Sequence, residues 1–154
     1  MGDYCGSRCK NAASEFQFGL EAPQKIFHDG RWYPDAYTLY VARKFAGPVA
    51  DKISQCGNAR EAKKLIWAYE EAGLVERRPD WEEVKDDILQ DVLRLKFGRS
   101  HQLRMALKGI EQRFIVADMP RDPWLGNGSD GRGQNKLGKA LTRLRDALQD
   151  DIFA

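Results

Sequence analysis

The stretch "RFIVADMPRDPWLGNGSDGRGQNKLG", Arg113–Gly138, decides the fold. It holds Gly126-x-Gly128-x-x-Gly131, which spells the dinucleotide fingerprint letter by letter. Those glycines mean dinucleotide binding only in a tight strand-to-helix turn that opens a βαβ unit. Here the branched run 113–117 is short enough for one strand, about sixteen aperiodic residues follow it, and no second strand comes after the last helix. The doubly wound α/β fold is therefore set aside. The expected fold is mainly α with minor β, a single compact helical domain with a short hairpin, and the long loop is either functional or disordered.

Working outward, Leu137, Leu141, Leu144 and Leu148 form the apolar stripe of a last helix, with Lys136, Lys139 and Arg143 on its flank. Upstream, "NAREAKKLIWAYEEAG" begins with Asn58 as a cap and ends at Gly73, with Ala62, Leu65, Ile66 and Tyr69 at helical spacing. In "DWEEVKDDILQDVLRLKFG", Asp80 and Glu83 have capping-box spacing, Val84, Ile88, Val92 and Leu95 make a stripe, and Gly98 closes the helix. Ser100 caps a further helix through Leu107. Asp29-Gly30 within "KIFHDGRWY" predicts a hairpin. Asp35 then caps a helix from about Ala36 to Phe45, ended by Gly47-Pro48, with a second short helix after Pro48.

The chain has 154 residues, 25 Lys and Arg against 23 Asp and Glu, and 42% hydrophobic residues. That suits one domain at 26–150 behind an N-terminal segment, 1–25, expected to be partly flexible. No membrane span and no secretory signal are expected, which points to the cytoplasm. A net charge of +2 without a basic block neither implies nor excludes nucleic acid. Cys5, Cys9 and Cys56 are expected to be free thiols; a zinc site on Cys5 and Cys9 would have to recruit scattered ligands, so no metal and no cofactor are expected.

Three ordered stretches carry a resemblance: "FHDGRWYPDAYTLYVARKF" (27–45), "DWEEVKDDIL" with "LRLKF" (80–97), and "DPWLGNG" followed by "GQNKLGKALTRLRDAL" (122–148). Together they resemble the NADAR family, the NAD- and ADP-ribose-associated proteins, over roughly residues 26–148. The resemblance implies a mainly helical domain and N-glycosidase chemistry, either on riboflavin-pathway intermediates or on ADP-ribosylated guanine in nucleic acid. The implied partner is a nucleotide-like small molecule of the ADP-ribose type, with nucleic acid as a partner where it is ADP-ribosylated; oligomeric state is left open. The family's first helix reads Glu-His-x-x-Gln-Ala-x-Lys-Phe. Ala42, Lys44 and Phe45 match it, whereas Tyr37, Thr38 and Val41 stand at the Glu, His and Gln positions, so the principal catalytic carboxylate is replaced. Ala117 stands at a second usual Glu, Leu125 and Gly131 at usual Trp positions, and Asp122 is kept.

N-glycoside hydrolysis passes through an oxocarbenium-like state that a carboxylate stabilises or attacks through water. A phenol titrating near pH 10 does little of this, so Tyr37 is expected to hydrogen-bond or stack on a base. Asp122 is the surviving carboxylate on a family motif, and equally a turn residue before Pro123. Asp35 is a second catalytic candidate set against its role as a cap. Lys44 would meet phosphate or a carboxylate; Trp124 in a polar loop would stack on a base, as Trp32 could, whereas Trp81 reads most simply as core. Gly126 would let backbone approach the ligand, and Asn135 would present the N–H groups of the last helix to a diphosphate or simply cap it. A carboxylate from elsewhere, such as Glu76 or Asp118, could take the vacant position. Three functions are consistent with these residues: an N-glycosidase, a non-catalytic nucleotide-binding module, and a protein-interaction or inhibitor domain.

Overall fold

In the computed structural model, residues 3–5 and 16–150 are described, in the order β1 (Asp3–Cys5), a 3-10 turn (Phe16–Phe18), β2 (Pro23–His28), β3 (Arg31–Asp35), α1 (Ala36–Lys44), α2 (Pro48–Ser54), α3 (Ala59–Glu71), α4 (Trp81–Gly98), α5 (His101–Lys108), β4 (Ile115–Ala117) and α6 (Lys136–Asp150). The fold is mainly α with minor β, and the backbone clusters into two compact units, Leu20–Lys96 and Met1–Gly19 with Phe97–Ala154. Cys9, and with it the zinc reading of Cys5 and Cys9, lies outside the described residues; Cys56 is a free thiol.

In the unit Leu20–Lys96, β2 and β3 pair antiparallel, with His28 opposite Arg31. Asp29 (φ 49°) and Gly30 (φ 79°) both take the left-handed conformation that a two-residue hairpin turn requires, which is why Asp-Gly predicts it. The hairpin buries Ile26 and Tyr33 and leaves Phe27 and Trp32 outside, their rings 5.2 Å apart. α1 buries Leu39, Tyr40 and Val41. It stops where Phe45 leaves helical geometry to bridge Arg77, and Pro48 then opens α2 at a position where its missing N–H costs nothing. Asn58 accepts from Glu61 N at 2.9 Å and Glu61 accepts from Gly57 N at 2.7 Å, a reciprocal cap that fixes where α3 starts.

α4 buries a wider arc than the expected stripe. Trp81, Ile88, Leu89, Val92, Leu93, Lys96 and Phe97 are buried, while Val84 and Leu95 are only half-buried. Packing on adjacent i and i+1 rows broadens the apolar face beyond a single seam. Lys96 is fully buried within it, a lysine that apolar periodicity counts as surface.

In the other unit, β1 pairs in parallel with β4, Tyr4 opposite Val116, a strand not expected from the sequence. α5 and α6 bury Leu103, Leu107, Leu137 and Leu141, and Phe18 packs on Phe97 with ring centroids 5.8 Å apart. Arg145, 3% exposed, is the least expected member of this core. Its guanidinium donates to the carbonyls of Ile110, Gln112 and Arg113 and to the Asp146 carboxylate, so a planar fork closes the turn between α5 and β4.

Candidate functional site

The expected site residues divide between the two units: Asp35, Tyr37 and Lys44 in one, Asp122, Trp124, Gly126 and Asn135 in the other.

Asp35 ends β3 in extended conformation (φ −162°, ψ 170°) and caps α1. Its Oδ1 accepts from Thr38 N at 2.7 Å and from Thr38 Oγ1 at 2.8 Å, and the Ala59 N–H at the start of α3 also favours the charged carboxylate. Burial raises its pKa, opposed by these donors and by the charge of Lys96. The geometry is that of a helix cap.

Tyr37, half-buried in the first turn of α1, donates its backbone N–H to Leu20 O at 2.8 Å. The Lys63 ammonium sits 5.3 Å from its ring centroid and is ion-paired with Glu21. Glu21, Asn58, Ala59, Arg60 and Lys63 line an open recess of about 310 Å³.

Lys44 lies at the far end of α1, about 10 Å from Tyr37 along the helix. Its ammonium is 5.3 Å from the Phe45 ring and 5.8 Å from that of Trp81, itself buried edge-on to Tyr40. Trp81 is therefore core. Glu76 is tied to this same end, where its carbonyl accepts from Ala46 N at 2.7 Å, so it does not fill the vacancy at position 37.

The loop 118–135 is ordered by its own polar groups. Asp122 Oδ1 accepts from Trp124 N at 3.0 Å and Leu125 N at 2.8 Å, closing a turn; among the described residues no bond to Oδ2 is seen. Asn127 donates its N–H to Ala117 O at 3.0 Å, and its side-chain oxygen accepts from Met119 N at 3.1 Å. Asp118 contributes an oxygen 3.5 Å from Asn127 Nδ2. These bonds explain why a polar, glycine-rich stretch is not disordered: its backbone groups find partners within the loop.

Two expectations change here. Gly126 is buried, and a Cβ on it would stand 2.3 Å from Met119 Cβ and 2.9 Å from Ala117 O, so its close approach is to the loop's own start. Asn135, at φ 51°, does not cap α6 with its side chain; Oδ1 accepts from Ala117 N at 2.8 Å and Nδ2 donates to Ile115 O at 2.9 Å. Nor are the first N–H groups of α6 open to an anion, because Lys136 N and Leu137 N donate to Trp124 O and Leu125 O at 3.0 and 2.9 Å. Trp124 is half-buried and tied to the loop through both of its backbone groups.

The sequence reading missed Glu21, Lys63 and Asn127. Glu21 and Lys63 have no local signal, since Lys63 meets Glu21 and the Tyr37 ring across elements distant in sequence; a second asparagine eight residues before Asn135 was the available hint for Asn127. Among the described residues no group of three or more His, Cys, Asp or Glu could hold a metal ion, and no helix is long and apolar enough to cross a membrane.

Known proteins place this geometry in a family. The family model for the NADAR domain matches residues 5–149. The chain is 35% identical over 135 residues to N-glycosidase YbiA of Shigella flexneri serotype 5b, covering 85% of this chain and 80% of that protein. It is 26% identical over 129 residues to riboflavin biosynthesis protein VVA0006 of Vibrio vulnificus, where 83% of this chain spans only 34% of the relative. The NMR structure of the E. coli protein YbiA superposes with a TM-score of 0.76 at 25% identity, covering 97% of this chain and 87% of that one. On the family match and the similarity to YbiA together, the chain belongs to the NADAR domain family.

Proposed function

We propose that this protein binds an N-glycoside of the ADP-ribose/NAD or riboflavin-intermediate type and hydrolyses its N-glycosidic bond, with Asp122 as an acting carboxylate. The observation that carries the reading is the Asp122 side chain: two backbone N–H groups hold Oδ1, and among the described residues no bond to Oδ2 is seen. A carboxylate fixed in this way loses little entropy on engaging a substrate. Trp124, two residues on in the same loop, offers an aromatic face to a base. Gly126 and Asn135 act by holding the loop in shape. The names of the relatives YbiA and the riboflavin biosynthesis protein support this chemistry.

The test is mass spectrometry of purified protein incubated with NAD, ADP-ribosylated guanine in DNA and riboflavin-pathway intermediates. Asp122→Asn keeps an Oδ1 acceptor for Trp124 and Leu125, so it should fold as the wild type does and release no base. A second reading, a non-catalytic module that sequesters a nucleotide or recognises ADP-ribosylated nucleic acid, is favoured by Tyr37 at the usual Glu position and by the use of Asp35 as a cap. Ligand retained without release would establish it.

A further inference from the structure

We infer that the turn between α5 and β4 is a docking surface for single-stranded nucleic acid, with Phe114 stacking on a base and Arg104, Lys108 and Arg113 facing phosphates. The surface lies within one unit and takes an unmodified strand, so it does not depend on Asp122. Charge points there first. Residues 97–150 hold ten Lys and Arg against six Asp and Glu, whereas 20–96 hold thirteen against fourteen, so the positive charge gathers in one unit. Within it, residues 99–113 carry Arg99, Arg104, Lys108 and Arg113 against Glu111 alone. Arg104 donates to the carbonyls of Phe97 and Gly98 at 3.0 and 2.8 Å, neutral acceptors that leave its charge uncancelled.

The backbone then presents an aromatic ring at the same place. The Arg145 guanidinium gathers the carbonyls of Ile110, Gln112 and Arg113, and Gln149 donates to Lys108 O at 3.0 Å, so the turn is fastened to α6 at several points. Phe114 follows directly and is 60% exposed, which is unusual for a large apolar side chain. The Arg113 guanidinium stands 5.1 Å from its ring centroid, and the exposure of the ring leaves surface open to a base. A ring carried on a fastened turn loses little freedom when a base stacks on it. Met105, exposed on α5 and three residues before Lys108, adds apolar surface one helical turn away. An acidic peptide would satisfy the cations and give the ring no flat partner, and a duplex keeps its bases stacked on one another. A single strand supplies both phosphates and free base faces.

Fluorescence anisotropy of the full chain with a labelled oligothymidylate of about 15 nucleotides, at salt from about 50 to 200 mM, tests this. Three phosphate contacts predict that log Kd rises with log salt at a slope of about 2. Phe114→Ala should weaken binding about tenfold with the slope unchanged. Lys108→Gln combined with Arg113→Gln should lower the slope by about 1.4. None of the three side chains is buried, so folding should persist, and thermal melting checks it. Trp67→Ala removes an exposed ring from the other unit and should bind as the wild type does. No binding at the lowest salt, or Phe114→Ala binding as tightly as the wild type, would overturn the assignment. So would polyglutamate, duplex DNA or phosphatidylserine vesicles bound as tightly as the single strand. Because the oligonucleotide carries no ADP-ribose, any of those results leaves the proposed function standing.

Discussion

Asn135 is joined to Ala117 by its side chain: Oδ1 accepts the Ala117 N–H at 2.8 Å, and the same amide donates through Nδ2 to Ile115 O at 2.9 Å. One asparagine thus completes the hydrogen bonding of β4 on the side where a further strand would lie. Replacing Asn135 by Asp keeps the acceptor but sets an oxygen against the Ile115 carbonyl. Urea unfolding should show a loss of about 3 kcal/mol, within the range for an unpaired buried polar group with added charge repulsion. A loss below about 0.5 kcal/mol would mean the contact is dispensable.

Asp35 should make stability fall as pH rises. Burial raises its pKa in the folded state above the ordinary 3.8, so the folded protein holds the proton more tightly than the unfolded chain. The stabilisation is fully present below about pH 3.8 and is lost as pH climbs through the folded pKa. Asp35→Asn retains an acceptor for Thr38 and has no proton to lose. Melting temperatures measured against pH should show wild type declining relative to Asp35→Asn across this window and a constant difference above it. The opposite slope would mean that the Thr38, Ala59 and Lys96 interactions outweigh desolvation.

Two glycines of the loop should respond differently to alanine. At Gly126 the added methyl would lie 2.3 Å from Met119 Cβ and 2.9 Å from a backbone oxygen, so the loop must shift, at about 3 kcal/mol. At Gly131, φ 76° with open space around it, only the left-handed backbone is penalised, at about 1 kcal/mol. Equal losses in chemical denaturation would contradict this packing.

Arg145→Leu should destabilise by about 3 kcal/mol or more, because it leaves the carbonyls of Ile110, Gln112 and Arg113 without their donor. Arg145→Lys should fall between, since an ammonium cannot reproduce the fork. Calorimetry that ranks lysine no better than leucine would show that the planar geometry is what the turn requires, with charge contributing nothing.

The sequence by itself determined the elements and their limits. Asp-Gly at 29–30, the caps Asp35, Asn58 and Ser100, and the leucine period of α6 are local signals, because the groups they satisfy lie within four residues of them. It also carried the family, through motifs kept in order. Tertiary structure decided what those residues do. Whether Asn135 caps a helix or ties a strand, and whether Lys96 and Arg145 lie inside, depended on partners 18 to 61 positions away, and Gly126 faces Met119 and Ala117 at the start of its own loop. The pairing of Leu20 with Tyr37 is of the same kind. It sets the turn before β2 beside the start of α1, where Lys63 of α3 meets the Tyr37 ring, and no period or spacing encodes such contacts between elements distant in sequence.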